Sequence, residues 1–198
     1  MQKLPREFYT RADTLQIARD LLGKTLVVPD ENGARVSGIV VETEAYCGIE
    51  DKAAHSYNNR RTTRTETMFA VGGTAYVTFI YGMYFQFNVV AGEIGTPHAV
   101  LIRAVEPLEN IEKMRERRGR MKDQNLTSGP GKLCLALGID KTFNNTDLLG
   151  DQIRLEDGEE VANSEIASGS RIGIDYAQEY AEKPWRFWLK GNSFVSRK

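Results

Sequence analysis

Val40-Val41-Glu42-Thr43-Glu44-Ala45-Tyr46 is the stretch on which the fold reading turns. It reads as the end of a buried strand. Alternation along a strand puts Glu42, Glu44 and Tyr46 on one side together with Val40. A carboxylate buried there needs a partner, either a structural ion pair or a working site. His55, in Ala53-Ala54-His55-Ser56, follows shortly after. Upstream, Lys24 to Val28 and Val36 to Tyr46 read as two strands joined through Asn32-Gly33, a strong hairpin signal. Before them, Asp13-Thr14-Leu15-Gln16 predicts a helix start with a reciprocal cap. Leu15, Ala18, Leu21 and Leu22 then form an apolar stripe ending at Gly23.

Downstream, residues 47–73 are polar, carry Arg60, Arg61 and Arg64, and end in Gly72-Gly73. That is long for a connection in a compact domain, and such loops are often functional. Thr74 to Tyr81 and Tyr84 to Val90 predict a second hairpin around Gly82-Met83. Ala99 to Val105 is a further apolar strand with Arg103 inside it. Pro107 marks a helix start, with Leu108, Ile111 and Met114 at helical spacing and Gly119 as its end. Ser128-Gly129-Pro130-Gly131-Lys132 precedes a short apolar helix over Leu133 to Leu137, with Ser128 as its cap. Ile153 to Glu156, Arg171 to Ile174 and Trp185 to Leu189 read as late strands. The sum is one α+β domain over residues 1–198: a curved, mostly antiparallel β-sheet surrounded by helices and long loops.

Composition narrows the function classes. With 41% apolar, 27% charged and 9% aromatic residues, the chain is of the soluble globular kind. No stretch approaches the ~18–20 apolar residues a membrane helix needs. The first residues lack a signal-peptide core, and two cysteines, Cys47 and Cys134, fit a reducing compartment. A cytoplasmic location is therefore expected. Two histidines and two cysteines without paired spacing argue against a metal site. No Gly-x-Ser-x-Gly is present, and the Ser128–Lys132 turn is not a nucleotide-binding P-loop. It could still hold a phosphate on free amides. The net charge of −1 and pI near 6.2 count against nucleic acid unless basic residues cluster locally.

Several residues could carry chemistry. Tyr81 and Met83 sit at a hairpin tip, where exposed apolar groups can serve as wedges in a base stack. Arg103 has apolar neighbours on both sides, so its guanidinium requires an anion, with Glu42 and Glu44 as the obvious candidates. The basic run from Lys113 to Lys122 is interleaved with Glu109, Glu112 and Glu116 and reads mainly as a solvated helix face. Its Arg118 to Lys122 end retains a phosphate role.

Val-Glu-Thr-Glu-Ala-Tyr (41–46), Ala-Ala-His-Ser (53–56), Tyr-Gly-Met-Tyr-Phe (81–85), Asn88, Leu-Ile-Arg-Ala-Val-Glu-Pro-Leu-Glu (101–109) and Ser-Gly-Pro-Gly-Lys-Leu-Cys (128–134) occur in one order. Together they resemble the alkyladenine (3-methyladenine) DNA glycosylase family, the type lacking a helix-hairpin-helix, from about Ala18 to Val195. The resemblance implies an enzyme that flips a damaged purine from duplex DNA and hydrolyses its N-glycosidic bond. It casts Glu44 as the general base that activates water, with Arg103 holding carboxylate and water in place. Tyr46 and His55 become walls around the flipped base, and Asn88 the amide that crowds the 2-amino group of guanine. Tyr81 fills the vacated stack with Met83 beside it. Thr78 stands where better-known members have a tyrosine, and Arg64-Thr65-Glu66-Thr67 departs from the usual Arg-Asn pattern.

The implied substrates are 3-methyladenine, 7-methylguanine and hypoxanthine in double-stranded DNA, with cationic lesions the easier ones. No cofactor, no metal, no membrane association and no AP-lyase activity are expected, and the chain is expected to be a monomer. DNA-backbone contacts fall to Arg60, Arg61, Arg64 and Lys132, joined by the Arg118 to Lys122 end and Arg197-Lys198. Two rivals stay open. One is a non-catalytic nucleic-acid module of the same fold. The other is a sugar or nucleoside hydrolase using Glu42 and Glu44, whose Cα atoms would lie about 6.5–7 Å apart.

Overall fold

The computed structural model describes residues 1–80, 82–119 and 121–197. The wedge expectation for Tyr81 and the phosphate expectations for Arg120 and Lys198 therefore lie outside the described residues. The early part holds α1 (Arg6–Tyr9), α2 (Thr14–Asp20), β1 (Thr25–Pro29) and β2 (Arg35–Cys47). A hairpin of β3 (Ala75–Ile80) and β4 (Tyr84–Ala91) leads to β5 (His98–Glu109), α3 (Ile111–Arg118) and α4 (Pro130–Leu137). Three short strands complete the sheet: β6 (Arg154–Glu156), β7 (Ile166–Gly169) and β8 (Arg186–Leu189). The eight strands follow the order β3-β4-β5-β2-β1-β6, and β8 joins β2 and β7. Every pairing is antiparallel. The α+β expectation holds.

Alternation along the strands divides the sheet into two faces. Val77, Val89, Val100 and Ile102 point into the main core with Ile17, Leu21, Leu133 and Leu137 of α2 and α4. Tyr76, Val90 and Ala99 pack instead with Met68 and Phe69 from the 47–73 loop. Tyr46 packs on Ala53, Ile174 and Ala177. Helices thus cover one face and long loops the other, and the loop-covered face holds the site.

Five local readings are corrected. Val40 and Ala45 both lie in the main core, although their separation should place them on opposite faces. Register shifts at Val40/Glu42 and Glu42/Thr43 explain this: a β-bulge re-aims the strand, so Glu42 and Glu44 do not share Val40's side. Asp13 caps α2 through the Gln16 N–H at 3.0 Å, but the Gln16 side chain turns to Asp20, so the cap is not reciprocal. Pro107 does not start a helix; β5 continues through it, opposite Gly38, to Glu109. Ser128 is not a helix cap, because α4 begins with Gly129 at the cap and Pro130 in its first turn. Arg171 to Ile174 is not a strand; β7 lies at Ile166–Gly169. Among the described residues no helix is long and apolar enough to cross a membrane.

Candidate active site

The bulge in β2 delivers two fully buried carboxylates to the loop-covered face, and Arg103 from β5 bridges them. Arg103 Nε donates to Glu42 at 3.2 Å, and its Nη1 lies 3.2 Å from Glu44. Burial works against the guanidinium charge, but Glu44 and Glu42 more than offset it and hold the pKa above its usual value. Glu42 also accepts from Arg186 Nη1 at 3.0 Å and from the Ser196 N–H at 2.7 Å. Both Glu42 oxygens are therefore committed within the fold. Glu44 is held differently: Oε1 accepts the Ile172 N–H at 2.7 Å, and Oε2 accepts the Tyr46 hydroxyl at 2.8 Å. Burial, then the charge of Glu44, pushes the Tyr46 phenol well above its ordinary pKa and keeps it a donor.

In front of this pair is a cleft of about 650 Å³, part of it open to solvent. Tyr46, His55, Tyr76, Asn88, Leu101 and Ile172 are among its lining residues. Glu44 and Arg103 stand behind the wall formed by Tyr46, Leu101 and Ile172. His55 is clamped between two partners: Nδ1 lies 3.0 Å from the Tyr76 hydroxyl, and Arg64 Nη2 lies 3.4 Å from Nε2. Arginine can only donate, so Nε2 accepts and Nδ1–H is the donor. Burial, followed by Arg64 and Arg60, pushes the imidazole down to about 4. His55 is therefore neutral at physiological pH. The unfolded chain binds the extra proton between about 4 and the ordinary 6.5. The stability contributed by neutral His55 is thus full above pH 6.5 and is lost as pH falls toward 4. A proton NMR titration should show no His55 inflection between pH 5.5 and 8; a midpoint near 6.5 would refute the clamp.

The other expected residues divide. Asn88 lines the cleft, but its amide nitrogen donates to the Tyr76 carbonyl at 3.1 Å and so braces the hairpin. Thr78 lies on the cleft side of β3, buried at 3% exposure, with no hydrogen-bond partner for its hydroxyl among the described residues. Met83 is exposed at the hairpin tip. The Ser128–Lys132 turn reaches that hairpin, since a Cβ on Gly131 would meet the Tyr84 ring at 3.0 Å. Lys132 is half-buried there, in the first turn of α4.

Arg60 and Arg64 line a second groove that shares Ala53, His55 and Tyr176 with the cleft. Arg61 is committed elsewhere, to Glu66 at 2.6 Å and over the Phe69 ring. Arg118 also turns inward, donating to the carbonyls of Leu126 and Asn125, which takes that one guanidinium away from the phosphate role expected of it. Arg115 pairs with Asp123 and Glu112.

The sequence reading missed Asp51 and Arg171, both fully buried. Arg171 donates to the Asp51 carboxylate through Nη1 at 2.6 Å and Nη2 at 2.8 Å, and to the Ala45 carbonyl. Its guanidinium lies over the Tyr46 and Trp185 rings. Asp51 also accepts the N–H groups of Cys47 and Ala53, which shapes the loop into His55. The signal was available: Arg171 is followed by Ile172 and Ile174 much as Arg103 sits among apolar neighbours.

The family model described as methylpurine-DNA glycosylase (MPG) matches residues 7–193. The chain belongs to the methylpurine-DNA glycosylase family. Two similar proteins carry the curated name "Putative 3-methyladenine DNA glycosylase". That of Clostridium novyi (strain NT) is 50% identical, covering 100% of both chains. That of Clostridium acetobutylicum is also 50% identical, covering 98% of this chain and 97% of the relative. For a member of the methylpurine-DNA glycosylase family, the buried Glu44–Arg103 pair behind an aromatic cleft is the arrangement whose chemistry needs explaining.

Proposed function

We propose that the protein is a monofunctional DNA glycosylase. In this reading it flips alkylated or deaminated purines out of duplex DNA into the aromatic cleft and hydrolyses the N-glycosidic bond. The observation that carries the reading is Glu44, whose two oxygens are oriented by Ile172, Tyr46 and Arg103 at the cleft wall of a chain matched by the family almost throughout. Water attacks C1′ and Glu44 takes its proton. The C1′–N bond breaks with its electron pair moving into the purine. The carboxylate also stabilises the oxocarbenium-like transition state by charge.

A cationic base such as 3-methyladenine leaves as a neutral molecule and needs no acid. Hypoxanthine does need a proton, and His55, with its pKa pushed down to about 4, is not charged at neutral pH to supply one. Release of 3-methyladenine should therefore outpace release of hypoxanthine. With water as the nucleophile, abasic strands should stay uncleaved until treated with alkali. The nucleoside-hydrolase reading is disfavoured because Glu42, the second carboxylate it requires, is spent as the counter-ion of two guanidiniums, Arg103 and Arg186, whereas among the described residues Glu44 is paired with Arg103 alone.

The test is single-turnover release of 3-methyladenine, 7-methylguanine and hypoxanthine from duplex DNA. Release is the expected result. Tight lesion binding without release would favour the non-catalytic module instead. DNA affinity should fall with salt, as phosphate contacts dictate. Arg60→Ala is expected to lower the slope of log K against log salt by about 1, whereas Arg61→Ala, already paired with Glu66, should leave it nearly unchanged. Equal slopes for the two variants would contradict this assignment.

A further inference from the structure

The β3–β4 wall of the cleft carries two polar groups that the fold does not use. Thr78 lies between Tyr76 and Ile80 on the face of β3 that lines the cleft, and its Cα partner across the hairpin is Gln86, a lining residue. The Thr78 hydroxyl is buried without a partner among the described residues. Among the described residues the Gln86 carboxamide makes no hydrogen bond. Their neighbours differ: Asn88 is bonded to the Tyr76 carbonyl and the Tyr76 hydroxyl to His55. Buried polar groups in folded proteins are almost always satisfied, so the orphaned Thr78 hydroxyl points to a partner that arrives with a ligand, and the part-exposed Gln86 amide across from it can exchange water for the same ligand.

We propose that Thr78 and Gln86 form a hydrogen-bonding subsite for the purine 6-position, one that accepts either an exocyclic amino group or a carbonyl oxygen there. The subsite rests on the glycosylase reading for its ligand. A carboxamide presents an acceptor and two donors side by side, and a hydroxyl can donate or accept by rotation. Gln86 can therefore take the amino group of an adenine-type base through its oxygen, or the 6-oxygen of hypoxanthine or a guanine-type base through its nitrogen. In each orientation the other half of the amide is offered to the ring nitrogen beside the substituent, as in bidentate recognition of adenine by glutamine. Thr78 supplies the adaptable third group. The pair would detect a heteroatom at position 6 without choosing its polarity.

The test compares binding of duplexes carrying hypoxanthine or the 6-unsubstituted purine, both on a 2′-fluorinated sugar that resists hydrolysis. Wild type, Gln86→Met and Thr78→Val are measured alongside single-turnover release from ordinary duplexes. Gln86→Met keeps chain length and removes both hydrogen-bonding ends. The wild type should prefer the 6-substituted base, and Gln86→Met should reduce that preference about tenfold while changing affinity for unsubstituted purine little. Thr78→Val should reduce the preference by a smaller factor and raise the melting temperature, because it removes an unsatisfied buried hydroxyl. A preference unchanged in both variants, or absent from the wild type, overturns the subsite. Failure of the wild type to release any base would overturn the glycosylase reading separately, since the binding comparison does not depend on turnover.

Discussion

Glu44→Gln is expected to slow 3-methyladenine release by on the order of 10³-fold or more while leaving lesion binding within a few-fold of wild type. The substitution keeps size and shape and removes the proton acceptor and the negative charge together. Three donors converge on the carboxylate: the Ile172 N–H and Arg103 at Oε1, and the Tyr46 hydroxyl at Oε2. Neither of the first two can reverse, so the amide oxygen must take the Oε1 position. The amide nitrogen then faces Tyr46, whose hydroxyl can rotate and accept. The variant should consequently fold, and a thermal melt should confirm this before the rate is interpreted. Release within tenfold of wild type from a folded variant would remove Glu44 from the mechanism.

The sequence made this site legible in some parts and hid others for definable physical reasons. Arg103 among Leu101, Ile102, Ala104 and Val105 had to be paired, and the two glutamates were the acids in reach; the ion pairs follow. Strand periodicity put Glu42, Glu44 and Tyr46 together, but it could not register the bulge that takes them away from Val40's face. Bulges are a matter of pairing between strands, and one strand's residue pattern does not encode them.

The basic run was legible as the solvated, acid-paired helix face it is, with Arg115 on Glu112 and Asp123. Its end was not: Arg118 turns to the carbonyls of a following turn that the helix pattern does not show. Asp51 and Arg171 stand 120 residues apart, and only the fold brings a loop aspartate under a guanidinium.

That pair underlies the second large effect. Arg171→Met is expected to lower stability by about 3–5 kcal/mol, the usual cost of stranding one partner of a buried ion pair. Asp51 would keep its bonds from the Cys47 and Ala53 N–H groups but lose the bidentate cation. The damage should reach the chemistry, because Arg171 supports three parts of the site at once. Its guanidinium backs the Tyr46 ring at 4.7 Å, its partner Asp51 shapes the loop leading to His55, and its neighbour Ile172 provides the N–H that orients Glu44.

Arg171→Lys separates charge from geometry. An ammonium restores the neutralising charge but not the planar fork that grips both Asp51 oxygens and stacks on Tyr46. Urea denaturation should therefore show Lys recovering much of the stability, while single-turnover release recovers less. A loss below about 1 kcal/mol in Arg171→Met would mean that Asp51 is solvated or relaxed in the variant, and that the pair does not brace the cleft. Full recovery of both stability and rate by lysine would reduce Arg171 to a counter-ion. Stability regained without rate is the outcome that separates a positioning role from a purely structural one, because only the fork ties the Tyr46 ring, the His55 loop and the Glu44 donor to one rigid group.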